Sequence, residues 1–279
     1  LIGESFNEAE TLPQLIESKG GTGLFVAYVA KTILLYQFKD YEGAIANAAL
    51  AAEQAGSAFG FMQVAVLNFY HSLALLAHYP QVNDTEKQQY LNTVNTNQEN
   101  MKHWAYYAPV NYQHKYDLVE AEKARILKQT SSAMELYEIS IQRARQQGYI
   151  QEGALANELA AEFYFSRGRE KLAQFYLTEA YYTFIRWGAT GKSQDLESRY
   201  SEFLSRLLLR ETISIERTLT TTYTTVTGSA ALDLAAIVKA SIAISSEIVL
   251  EQFLEKLINI LVETAGARKG IVLLKEANQ

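Results

Sequence analysis

The sequence contains no cysteine. That removes disulfides, thiolate nucleophiles and cysteine-based zinc or iron–sulfur sites, and it matches a reducing, cytoplasmic setting. Proline occurs only at Pro13, Pro80 and Pro109, and none of the three interrupts a long helical pattern. No apolar run reaches the length of a bilayer-spanning helix, and the acidic N-terminal stretch is unlike a signal peptide, so no membrane partner is expected. Concentrated positive charge is missing as well. The formal net charge is -6, the 25 basic residues are scattered, and the densest groups, RILK and RARQ, read as solvated helix faces. Nucleic-acid backbones require a basic footprint, so no nucleic-acid partner is expected.

What remains is helix-forming material. The periodicity predicts a short helix over 8–18 and longer ones over 23–38, 41–55 and 59–78. A further helix starts at Asn83-Asp84-Thr85-Glu86, where acidic groups meet the positive end, and runs to about Tyr107. Pro109-Val110-Asn111 is read as a break, with helices over 112–128 and 131–147 beyond it. The most informative stretch is 154–189. It reads as two helices around a tight break at Ser166-Arg167-Gly168-Arg169, ending at Trp187-Gly188, with small residues alternating with large aromatics. A shorter pair follows within 193–209.

Breaks recur every 17 to 20 residues or so, which makes each pair about the size of a tetratricopeptide-like unit. Ala44 and Ala51, Ala133 and Ser140, and Ala173 and Ala180 each stand seven apart near the start of a second helix, where a small side chain permits a close crossing. The fold class expected is all-α, a tetratricopeptide-like antiparallel helical-repeat array; a generic alanine-rich bundle is the plainer alternative. Residues 1–22 are assigned to an N-terminal cap or linker and 23–210 to the repeats. The uncharged, β-branched 211–230 forms a Thr-rich linker. Residues 231–279 are assigned to connector helices, a C-terminal signalling helix with Leu250, Leu254, Leu257 and Leu261 on one stripe, and a lone strand at Gly270–Leu274. A lone strand cannot satisfy its backbone. With Leu1 at the start in place of Met, the chain reads as a piece of something longer.

No chemistry-bearing constellation emerges. Gly188-Ala189-Thr190-Gly191-Lys192-Ser193 suggests a phosphate loop, but Arg186 occupies the required first glycine and an aromatic helix precedes it. It is read as a helix stop and the next cap. Gly20-Gly21-Thr22-Gly23 lacks the following Lys-Ser/Thr. Of the four histidines, His71 and His78 stand seven apart with no third ligand near, and neither His103 nor His114 supplies a motif. Glu158 and Glu162, one turn apart, are assigned to solubility or to pairing with nearby basic residues. No catalytic, cofactor-binding or metal residue is assigned, and no cofactor is expected. The 18 tyrosines, Tyr106-Tyr107 and Tyr181-Tyr182 among them, are read mainly as core, with a few left for a recognition surface.

Four runs carry a resemblance: Phe69–Leu76, Trp104–Pro109, Ala154–Ala161, and Trp187-Gly188-Ala189 followed by Leu196, Glu197 and Tyr200. Together they resemble the helical region of large cyanobacterial multi-sensor serine/threonine and histidine kinases. Asp233–Leu250 and Arg268–Leu274 resemble the start of the GAF sensor domain in those proteins. The resemblance implies a non-catalytic scaffold or regulatory connector, with neighbouring kinase, ATPase-like or GAF domains, another protein or a second copy of the chain as partners. A structural spacer and a small-molecule sensor with an aromatic groove are the alternatives.

Overall fold

The computed structural model describes residues 2–3 and 6–204. The expected linker of 211–230, the connector helices and GAF start of 231–279, and the Leu250–Leu261 stripe lie outside the described residues. Two compact units divide the chain, Leu1–Thr183 and Phe184–Gln279. The first opens with a minimal antiparallel ladder, β1 (Ile2–Gly3) on β2 (Phe6–Asn7), a feature with no counterpart in the sequence reading. Asn7 then caps α1 (Glu8–Glu17) by accepting from the Ala9 N–H.

Eight helices follow as four pairs. They are α2 (Gly21–Gln37) with α3 (Tyr41–Glu53), α4 (Gln63–His78) with α5 (Asp84–Tyr107), α6 (Pro109–Ile126) with α7 (Thr130–Gln146), and α8 (Ile150–Ser166) with α9 (Glu170–Trp187). From α2 to α8 each helix packs on the next, and each first helix also packs on the first helix of the following pair: α2 on α4, α4 on α6, α6 on α8. Tyr164 of α8 and Tyr176 of α9 stack with ring centroids 5.3 Å apart. The architecture is an all-α stack of helix pairs, consistent with a helical-repeat array. In the second unit, α10 (Thr190–Arg199) follows the stop at Gly188, and residues 201–204 are again helical.

One device ends most of these helices. Lys19, Lys39, Lys128, Gly148, Gly168 and Gly188 all adopt positive φ, between 52° and 84°. At each, the following N–H reaches back to the carbonyl five residues before it, as in Asp40 to Leu35, Gln129 to Ala124, Tyr149 to Ala144 and Arg169 to Tyr164. That bond, with the shorter one inside it, is the Schellman closure, which satisfies carbonyls the helix leaves open. Lys128, Gly148, Gly168 and Gly188 stand twenty residues apart, as do Lys19 and Lys39. The helices α2, α7, α8 and α9, each with its turn, therefore share one length, while the stretch between Lys39 and Lys128 departs from it.

The small residues expected at crossings are all buried: Ala44, Ala51, Ala133, Ser140, Ala173 and Ala180. Twelve positions before the first of each couple lie Thr32, Ala121 and Ala161 on the preceding helix, and these too are fully buried. Small side chains on both partners let the backbones approach and leave little rotamer entropy to lose.

Two boundaries differ from the sequence reading. Pro109 begins α6 where a break was expected, because its missing N–H falls among donors that are open at a first turn in any case. The helix expected from Phe59 begins at Gln63, since Gly60 sits at φ 84° and Phe59 points into solvent. The start of α5 matches: Asn83 accepts from the Thr85 and Glu86 N–H groups while the Glu86 carboxylate accepts from the Asn83 N–H, a complete capping box.

Candidate functional site

The first helices turn a polar, aromatic face into the stack. Tyr36, near the end of α2, packs its ring on Tyr41 at 5.8 Å and edge-on to Tyr70 of α4 at 5.7 Å. Gln37 donates to the Tyr70 hydroxyl. Burial first, and then the carboxylates of Glu122, Glu162 and Glu158, hold the Tyr36 hydroxyl far above its ordinary pKa, so it stays a neutral donor.

Three charge clusters lie within the stack. Lys39, in the left-handed turn after α2, reaches α8 and places its Nζ 3.2 Å from Glu158 and 2.8 Å from Glu162. Burial works against its charge, but the two carboxylates outweigh that and raise its pKa. On α6, Glu122 accepts from Arg125 through Nε and Nη2, and from the hydroxyl of fully buried Tyr137 on α7. The Glu122 charge is the main reason the Arg125 pKa is raised.

The third cluster ties α6, α7 and α8 together. The Lys115 Nζ lies 2.9 Å from Glu152, 3.0 Å from His114 Nε2 and 4.3 Å above the Tyr149 ring. Tyr149 donates to Asn111 at 2.8 Å, and Ser140 donates to the His114 carbonyl. Burial lowers the Lys115 pKa against the pull of Glu152. Burial, followed by the Lys115 charge, pushes His114 down to about 3, which leaves it neutral. His114 Nδ1 and Glu152 Oε2 are buried without a hydrogen-bond partner among the described residues.

Each carboxylate of these clusters already faces a cation. Glu158 and Glu162 share one lysine and so lack the opposed placement and separated acidities of an acid–base pair. Their pairing partner is a lysine distant in sequence, and Glu158 itself is fully buried, far from a solubilising role. The interior polar residues were not assigned from sequence, because contacts between distant segments leave no spacing to read. One signal was present: Glu158 and Glu162 are the charged residues in the otherwise largely apolar run ALANELAAEF.

The other sequence candidates disperse. His71 is held neutral by burial, down to about 4, while His78 meets the Tyr90 hydroxyl at 3.2 Å through Nδ1. Among the described residues, no three His, Asp or Glu side chains are arranged to hold a metal ion. Gly188 is a helix stop, and Lys192 lies in the first turn of α10 with its Nζ 3.2 Å from Asp195. Gly21 opens α2, where Thr22 donates to the Ser57 carbonyl. Among the described residues, no helix is long and apolar enough to cross a membrane. Comparison with protein-family models, with curated proteins and with solved structures finds no match.

Proposed function

We propose that the chain is a non-catalytic scaffold or regulatory connector built from tetratricopeptide-like pairs, serving a larger signalling kinase with a GAF sensor. The observation that carries this reading is the stacking of successive helix pairs, each first helix on the first helix of the next pair, with left-handed stops twenty residues apart from Lys128 to Gly188. The interior clusters occupy their own charges and fix how the pairs stack, leaving the outer turns for recognition. The four inward tyrosines Tyr36, Tyr70, Tyr137 and Tyr164 are buried and fill the interior, which supports the scaffold over a small-molecule groove formed by these four. The tie from Lys39 across to Glu158 favours a stiff spacer as the second reading.

Binding of the whole chain to the neighbouring kinase, ATPase-like and GAF domains, measured by calorimetry, tests the connector. Affinity for one of them, with parent phosphotransfer altered by surface substitutions, is the expected result. No affinity and an unchanged output would leave only the spacer.

A further inference from the structure

Two polar atoms in the joint between α6 and α8 stand apart from its ion pair. His114 Nδ1 and Glu152 Oε2 are buried, and neither has a hydrogen-bond partner among the described residues. Their neighbours fix which of them donates. The Lys115 Nζ meets three acceptors: the Asn111 carbonyl at 3.3 Å, Glu152 Oε1 at 2.9 Å and His114 Nε2 at 3.0 Å. An ammonium has three protons to give and no lone pair, so Nε2 must accept. A ring that accepts at Nε2 carries its proton at Nδ1. The two atoms are therefore one orphaned N–H and one orphaned carboxylate oxygen.

Neither can turn away to solvent. His114 is 1% exposed, Lys115 4% and Glu152 6%. The Tyr149 ring lies 4.4 Å from that of His114, Lys115 bonds its Nε2, and Ser140 of α7 donates to its carbonyl. Turning the ring over takes Nε2 away from Lys115. Exchanging the two Glu152 oxygens leaves one of them orphaned all the same. On α4, burial and then the Glu152 charge keep the Tyr70 hydroxyl neutral. That hydroxyl accepts from Gln37 and has no acceptor for its own proton among the described residues.

An orphaned buried donor or acceptor costs its full desolvation, so these atoms select an occupant. It must accept from one and donate to the other. An anion is repelled by Glu152, and a bare metal cation cannot accept from an N–H. Burial of all three side chains restricts it to a small molecule. We propose that internal water, one molecule or a chain of two, bridges His114 Nδ1–H to Glu152 Oε2, with the Tyr70 hydroxyl as a further donor. Buried waters typically make about three hydrogen bonds to groups that otherwise lack them. Lys115 already ties α6 to α8, and the water ties them a second time. The site concerns how the helix pairs are joined and is independent of what the chain binds.

The test is nuclear magnetic resonance on the whole chain labelled with nitrogen-15. Long-range proton–nitrogen correlation at neutral pH is expected to show His114 protonated at Nδ1 and unprotonated at Nε2. The Hδ1 resonance should exchange slowly and give a rotating-frame Overhauser cross-peak to water. A crystal structure should place water density about 2.7–3.2 Å from both His114 Nδ1 and Glu152 Oε2, or a linked water at each. His114→Phe keeps a ring and removes the donor, and it should lower the number of long-lived waters counted by oxygen-17 relaxation dispersion. Should that variant fail to fold by circular dichroism, the Hδ1 cross-peak of the parent chain decides. A proton on Nε2, an Hδ1 without a water cross-peak, density larger than water, or an unchanged water count in folded His114→Phe would overturn the site.

Discussion

Lys39 and Glu158 join the first and last helix pairs of the stack: the lysine projects from the turn after α2, and its Nζ lies 3.2 Å from a carboxylate buried on α8. Removing one member leaves an uncompensated charge inside, which is costlier than never having had the pair. Lys39→Met is therefore expected to lower unfolding free energy by about 3 kcal/mol, with Lys39→Met/Glu158→Leu recovering most of it. Urea denaturation of the two single variants and the double variant measures this. Strictly additive losses would show that the residues are not coupled.

His114 and His71 contribute to the acid response. His114 is lowered to about 3 and His71 to about 4, both principally by burial, from an ordinary value of 6.5. The unfolded chain takes up these protons first as pH falls, so their contribution to stability is complete above pH 6.5. It is lost progressively as pH drops from there toward the folded values. Each histidine accounts for roughly 1.4 kcal/mol per pH unit inside that window. Urea midpoints from pH 7.5 to 4.5 should fall steadily below 6.5, and His71→Gln should flatten the slope. A slope unaltered by this substitution would place His71 in solvent.

Much of this fold was legible before any contact was known, and the reasons are local. Gly148, Gly168 and Gly188 announce helix stops because glycine tolerates the left-handed turn, and the capping residues Asn83 and Glu86 write their own start. The small residues at Ala44, Ala133 and Ala173 announce crossings by spacing alone. Lys128 hides the same stop as Gly148 behind a residue that rarely adopts positive φ. Pro109 reads as a break or as a first helical residue with equal ease, and its neighbours decide. The interior clusters were illegible for a different reason: His114, Lys115 and Glu152 are paired by how α6 and α8 stack, which no single segment encodes.

Lys128 and Lys39 occupy equivalent left-handed stops but do different things there. Lys128 is exposed and has no ion-pair partner among the described residues, so Lys128→Gly relieves the left-handed conformation without losing a contact. A gain of about 0.5–1 kcal/mol is expected from it. Lys39→Gly relieves the same conformation and loses the bonds to Glu158 and Glu162, so it should destabilise. Opposite shifts in melting temperature are the signature, and equal shifts would remove the structural role of Lys39.

Ala173 tests the close approach of the last pair in the first unit. Its side chain is fully buried near the start of α9, and Ala161, twelve residues earlier on α8, is equally buried. Interiors this dense cannot admit three more carbons without moving a helix or forcing a rotamer. Ala173→Leu is expected to cost about 1–3 kcal/mol, while Ala173→Ser, close in volume, costs far less. The same change at Gln174, part-exposed one position on, should fall within about 0.5 kcal/mol of the parent because nothing there has to yield. Equal melting temperatures for the Ala173→Leu and Gln174→Leu variants would mean that α8 and α9 do not cross at the small residues, and the pairwise register would have to be redrawn.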